Sequence, residues 1–185
     1  MAASDFVFVY DNFLPKWLYE KSITEICNDK FPWMYPAVGI QGETNPYRSC
    51  FGSNLIKQNG DNHTYISPCV NYMWSFFEHE YKELWPEPSI IRLRANMYAP
   101  GQFTSRHHDD DRENAWALLY YLTDSDGGTE IEGNEYEHKP NRAILFPADM
   151  MHQARPCTSP ARITLNWNFY SVFDWDVHKA KIADK

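Results

Sequence analysis

Basic residues are in short supply: 17 Lys and Arg face 25 Asp and Glu, a formal charge of −8 over 185 residues. So acidic a surface is a poor match for a phosphate backbone, and nucleic acid is not expected as a partner. Paired cysteines are missing too. Cys27, Cys50, Cys69 and Cys157 form no CxxC motif and read as reduced, mostly buried thiols. No apolar run approaches the roughly eighteen residues that span a bilayer. The opening stretch MAASDFVFVYDNFLP has no basic n-region, so no membrane is expected and the expected compartment is the cytoplasm. Internal repeats and low-complexity tracts are absent as well. The length suits one full-sized core, which predicts a single domain over 1–185.

What is present is apolar. Hydrophobic residues make up 43% and aromatics 16% of the chain, which excludes disorder. DFVFVY reads as a strand, and DNFLPKWLYEKSITEIC sets Trp17, Leu18, Ile23, Ile26 and Cys27 at roughly helical spacing. Residues 31–67 mix prolines and glycines with Trp33, Tyr35 and Tyr47, a composition of loops and short strands that suits a lid. SPCVNYMWSFFEHEYKELWP offers Ser67 as N-cap and Pro68 in the first turn, with Val70, Met73, Trp74, Phe77 and Leu84 near one face until Pro86. From residue 88 onward strands follow: SIIRLRANMY, WALLYYLT, GTEIEG, YEHK, RAILFP and ARITLNWNFYSVF, with a short helix or frayed end after Trp175. Helices first and antiparallel strands after predict an α+β, mainly β fold. Its core would be a sandwich or jelly roll over about 89–172, with the helical support of about 1–88 packed on one sheet.

Two strands alternate sharply. SIIRLRANMY splits into Ile91, Leu93, Ala95, Met97 and, on the other face, Arg92, Arg94, Asn96, Tyr98. RITLNWNF splits into Ile163, Leu165, Trp167, Phe169 and Arg162, Thr164, Asn166, Asn168. Such a row usually faces water. Rows that carry Arg with Asn and Thr, rather than Lys and Glu, also suit the lining of a ligand cavity.

SRHHDDDREN holds a His-x-Asp pair in two registers, His107 with Asp109 or His108 with Asp110, and His152 follows in FPADMMHQARP. A carboxylate with two neutral imidazoles on one face of a metal leaves about three positions open, the donor set of non-haem Fe(II) oxygenases. Alone, the acidic run also fits a solvated turn. A zinc hydrolase using the same residues, or a non-catalytic metal-binding jelly-roll module, is a further alternative, although the HExxH helix of many zinc hydrolases is absent.

The ordered set YAPGQFTSRHHD, LLYYL, GGTEIE, NRAILFP, His152 and Arg162 resembles the prolyl 4-hydroxylase-like branch of the Fe(II)/2-oxoglutarate-dependent dioxygenases, from about Ile91 to Tyr170. The resemblance implies a double-stranded β-helix, and a hydroxylase that uses Fe(II), 2-oxoglutarate and O2 on a peptide or small-molecule substrate. The family's spacing from the glycine lands on His107, so His107, Asp109 and His152 are the implied iron ligands, with His108 turned away. Arg162 is the implied anchor for the distal carboxylate of 2-oxoglutarate, with Tyr121 as hydrogen-bonding partner, Tyr98 lining the pocket and Thr164 at a hydroxyl-bearing position. Asp109 favours hydroxylation over halogenation, because halogenating relatives typically lack that carboxylate. Arg94 and Asn96, sharing a row with Tyr98, are candidate substrate contacts. His63, His79, His138 and His178 show no ordered partner pattern and read as structural or surface residues.

Overall fold

Strands that alternate need a cover for each face, and the computed structural model, which describes residues 6–33, 51–57 and 68–183, shows what covers them. The order is β1 (Phe8–Tyr10), α1 (Lys16–Ile26), β2 (Phe51–Lys57), α2 (Pro68–Tyr81), β3 (Ser89–Tyr98) and β4 (Ala115–Tyr121). Then come β5 (Gly128–Ile131), β6 (Asn134–Glu137), β7 (Arg142–Pro147), β8 (His152–Ala154), β9 (Arg162–Tyr170) and α3 (Trp175–Ala183). Among the described residues these form a six-stranded sheet, β1-β7-β4-β9-β3-β2, and a three-stranded sheet, β6-β5-β8. This is the two-sheet jelly roll expected, and none of the described helices is long and apolar enough to cross a membrane.

The two faces of β4 show the layering. Trp116, Leu118 and Tyr120 join Leu18 and Ile26 of α1 and Met73 and Phe77 of α2 in one core. Ala117, Leu119 and Tyr121 meet Ile131, Ile144, Phe146 and Met150 in a second core between the sheets. The helices thus cover one face of the larger sheet, and the smaller sheet covers the other. The apolar row of β9 lies wholly in the helix-side core. In β3 a bulge between Ile90 and Arg92 breaks the simple alternation. Ile90, not Ile91, packs on the core beside Leu93, Ala95 and Met97.

Some expectations need correction. α2 ends at Tyr81, and Leu84 and Trp85 are buried beyond it. Trp17 is 61% exposed, and α1 instead buries Leu18, Ser22 and Ile26. Cys27 is exposed while Cys69 and Cys157 are buried. Residues 51–57, in the stretch expected to hold loops and short strands, do form a strand, paired with β3 and at the edge of the sheet among the described residues. Residues 34–50 and 58–67, including Ser67 and Cys50, lie outside the described residues.

Asn141 ties the N-terminal segment to the jelly roll. Its φ of 58° is one that Asn tolerates better than most residues. The side chain accepts from Leu14 N and from the Tyr120 hydroxyl, each at 2.9 Å, and donates to Leu14 O at 2.9 Å. Asn141→Ala is expected to cost about 2–4 kcal/mol in denaturant unfolding, from lost buried hydrogen bonds.

Candidate metal centre

The loop between β3 and β4 is laid along β8 by main-chain bonds. Gly101, at φ 80°, makes the turn and donates its N–H to Cys157 O at 2.9 Å. The Ala154 N–H donates to Thr104 Oγ1 at 2.7 Å. His107 and His152 form an isolated antiparallel bridge, donating to each other's carbonyls at 2.9 and 2.7 Å. The Asp109 N–H donates to Ala148 O at 2.9 Å. These bonds set the two imidazoles side by side, with ring centroids 4.4 Å apart.

The side chains converge. His107 Nδ1 lies 2.7 Å from Ser105 O and His152 Nδ1 lies 3.0 Å from Met150 O. A carbonyl only accepts, so each neutral ring carries its proton on Nδ1 and keeps the Nε2 lone pair free. Those Nε2 atoms are 3.9 and 3.8 Å from Asp109 oxygens. Ligand atoms of His107, Asp109 and His152 all lie within 4.8 Å of one another.

Asp109 is also held by three side-chain donors. Arg92 Nη2 donates to Oδ1 at 2.8 Å, and Asn166 and Asn168 Nδ2 donate to Oδ2 at 2.8 and 3.0 Å. Burial alone would favour the neutral acid. The His152 ring, the Arg92 guanidinium and the two amides outweigh it and hold the carboxyl well below the usual carboxylate range. Burial pushes the His152 ring down, against the attraction of Asp109. An ionised carboxylate beside two imidazole lone pairs is the donor set a divalent iron takes. His108 is exposed, and Asp110 belongs to the turn, where it accepts from Arg112 N and Nε at 3.0 and 2.8 Å.

A second charged group lies on the same face of β9. Arg162 is 1% exposed, and among the described residues no carboxylate pairs with it. Its guanidinium lies 5.0 and 5.7 Å from the Tyr98 and Tyr121 ring centroids. Nε donates to His138 Nδ1 at 3.1 Å, Nη1 to Arg155 O at 3.1 Å and Nη2 to Thr129 Oγ1 at 3.0 Å. The Tyr121 hydroxyl donates to the same Thr129 oxygen at 2.7 Å. Gly127 makes room: a Cβ there would sit 3.0 Å from Cys157 Cβ and 3.3 Å from Arg162 Cδ. Thr164 Oγ1 and Asn166 Oδ1 are buried without a hydrogen-bond partner, which is unusual in a folded interior and suits a polar ligand. The residues therefore fit Fe(II) at one end and a dicarboxylate at the other.

The strand register sets Tyr98 opposite Arg162, Asn96 opposite Thr164 and Arg94 opposite Asn166. Of the residues expected at the site, Arg94, Asn96, Tyr98, Arg162 and Thr164 thus share one face of the paired strands. The contacts that support them were not anticipated: Arg92, Asn166 and Asn168 on Asp109, and Thr129 and His138 on Arg162. The polar rows already contained the first three. His138, expected to be structural or at the surface, is 2% exposed, and its role arises from a partner distant in sequence.

Residues 93–170 match the family model described as the 2OG-Fe(II) oxygenase superfamily. No curated protein matches the chain. Among solved structures, a Pseudomonas putida prolyl-4-hydroxylase is similar at 16% identity and TM-score 0.60, over 90% of this chain and 92% of that one. A Trichoplax adhaerens prolyl hydroxylase, in complex with a hypoxia-inducible-factor peptide fragment, is similar at 16% identity and TM-score 0.59, over 91% and 84%. HygX from Streptomyces hygroscopicus, with nickel, 2-oxoglutarate and hygromycin B bound, is similar at 10% identity and TM-score 0.66, over 90% and 83%. These likenesses share the fold, and residues 93–170, the segment that matches the 2OG-Fe(II) oxygenase superfamily, contain His107, Asp109, His152 and Arg162.

Proposed function

We propose that this dioxygenase is a hydroxylase of the prolyl 4-hydroxylase-like branch, with His107, Asp109 and His152 as iron ligands and Arg162 as the anchor for 2-oxoglutarate. One observation carries the reading: a pre-ionised carboxylate beside two imidazole lone pairs is held by Asn166 and Asn168, on the same β9 row as a buried guanidinium that has no acidic partner among the described residues. A buried cation in that situation is costly unless a ligand pairs with it. When bound, Fe(II) with 2-oxoglutarate and O2 supplies oxidative decarboxylation to succinate and CO2, with one oxygen atom inserted into a substrate C–H bond.

The chain's share is positional. His107 and His152 present Nε2, Asp109 presents its anion, and the Tyr98 and Tyr121 rings flank Arg162 and keep water from it. Thr164, with an unpartnered hydroxyl, is the further polar contact for the co-substrate, and Tyr121 holds Thr129 in place. Asp109 leaves no room for a halide ligand, which supports hydroxylation. The whole chain is read as one domain, with residues of about 1–88 supporting a core of about 89–172. Its substrate is read as a peptide or small molecule in the cytoplasm, without nucleic acid or membrane partners.

Anaerobic titration with Fe(II) and then 2-oxoglutarate tests the reading: a weak visible charge-transfer band is expected, followed by succinate release on aeration. Zinc binding without any 2-oxoglutarate response would favour a hydrolase instead. Arg94 and Asn96 border the co-substrate row and are assigned to the substrate. Arg94→Ala is therefore expected to lower substrate-coupled turnover more than uncoupled 2-oxoglutarate consumption, and equal loss of both would remove Arg94 from the substrate side.

A further inference from the structure

Arg162 carries five N–H donors in a rigid fork, and three are already committed. Nε–H goes to His138, one Nη1 proton to Arg155 O and one Nη2 proton to Thr129. Among the described residues these bonds leave one proton on each terminal nitrogen, beside the Tyr121 hydroxyl, and two such protons match the two oxygens of a carboxylate. The partner of Nε is what decides the rotation of the fork. His138 Nδ1 accepts there, while its Nε2 lies 2.7 Å from Thr123 O. A carbonyl only accepts, so the proton of the ring is on Nε2 and Nδ1 is the free acceptor. The ring is fixed against Tyr121, with centroids 4.1 Å apart and planes 20° from parallel. Burial, and then the charge of Arg162, push the imidazole down to about 3, so it stays neutral and able to accept.

We infer that His138 is a positioning residue for the co-substrate: as the neutral Nε2–H tautomer it locks the Arg162 fork in the orientation that receives the distal carboxylate of a 2-oxo dicarboxylic acid. The inference rests on the hydroxylase reading above. His138 touches neither the co-substrate nor the metal and acts through Arg162 alone. Its loss therefore affects recognition of the distal carboxylate and leaves the chelating end of a 2-oxo acid unchanged.

The test compares anaerobic calorimetric binding of 2-oxoglutarate and 2-oxovalerate to the Fe(II)-loaded protein. The second acid keeps the chelating end and lacks the distal carboxylate. The parent is expected to prefer 2-oxoglutarate. His138→Phe keeps the stacked ring without the acceptor and is expected to lose roughly 10- to 100-fold in 2-oxoglutarate affinity, with 2-oxovalerate affinity unchanged. His138→Asn, whose amide oxygen falls near the position of Nδ1, is expected to recover most of that loss. Full preference retained in folded His138→Phe would overturn the assignment. So would a drop for both acids alike, the mark of a merely structural role. Nitrogen-15 NMR of the metal-free parent gives an independent reading even if the Phe variant fails to fold: an Nε2–H ring is expected, and an Nδ1–H ring, unable to accept from Arg162, would overturn the inference. A parent that binds no 2-oxoglutarate would overturn the hydroxylase reading itself, whereas a parent that binds it and a Phe variant that binds it equally well would remove His138 alone.

Discussion

His107→Ala is expected to abolish Fe(II)-dependent succinate formation, whereas His108→Ala retains most of it. The two residues are neighbours in sequence and differ in what the backbone does with them. The His107 main chain is bridged to His152 in both directions, its Nδ1 is committed to Ser105 O, and its Nε2 faces Asp109. His108 is exposed, one residue out of phase, and outside the ligand cluster. Removing an outer partner of a metal ligand costs roughly 10- to 100-fold in metal affinity or activity, and removing a ligand itself from a set of three exceeds that. Fe(II) affinity measured beside turnover separates a lost ligand from a lost fold, because His107 is partly exposed and its truncation opens no large core cavity. An inactive His108→Ala beside an active His107→Ala would move the centre to the other register.

How much of this site was legible in the sequence depends on how local each cause is. The polar rows Arg92, Arg94, Asn96, Tyr98 and Arg162, Thr164, Asn166, Asn168 follow from a period of two. β3 and β9 then pair directly, so the rows share one face. That Arg92, not Arg94, reaches Asp109 follows from how the strand approaches the loop bearing Asp109, a feature outside the strand's own pattern. β8 could not be anticipated. Its three residues carry no recognisable alternation and are extended because β5 pairs on one side and the loop bearing Thr104 and His107 on the other. His138 follows a hairpin strand, Asn134–Glu137, and contacts distant in sequence, the Tyr121 ring, Thr123 O and Arg162 of β9, make it a buried acceptor. The double histidine posed its question locally. The resemblance implied His107, and the distant bridge to His152 is the contact that favours that register.

Arg162→Leu is expected to abolish the selection of 2-oxoglutarate over 2-oxo acids that lack a second carboxylate. The side chain is among the largest fully buried ones, and no acid neutralises it among the described residues, so a bound carboxylate gains both charge pairing and a two-point hydrogen bond. Breaking such a buried charged pair costs about 3–5 kcal/mol, or roughly a hundred- to a few thousand-fold in affinity. Leucine also strands His138 Nδ1 and Arg155 O, which accept from Arg162, while Thr129 Oγ1 keeps the Tyr121 hydroxyl, so some loss of stability accompanies the loss of binding. Arg162→Lys separates the two effects. It keeps the positive charge and lacks the planar fork, so it should bind 2-oxoglutarate more weakly than the parent and more tightly than the Leu variant. Fe(II) affinity without co-substrate should change little in either, since Asp109 is held by Arg92, Asn166 and Asn168 and not by Arg162. A Leu variant that still preferred 2-oxoglutarate would show that the carboxylate is recognised elsewhere in the cavity, and the unpartnered hydroxyl of Thr164 would be the next group to remove.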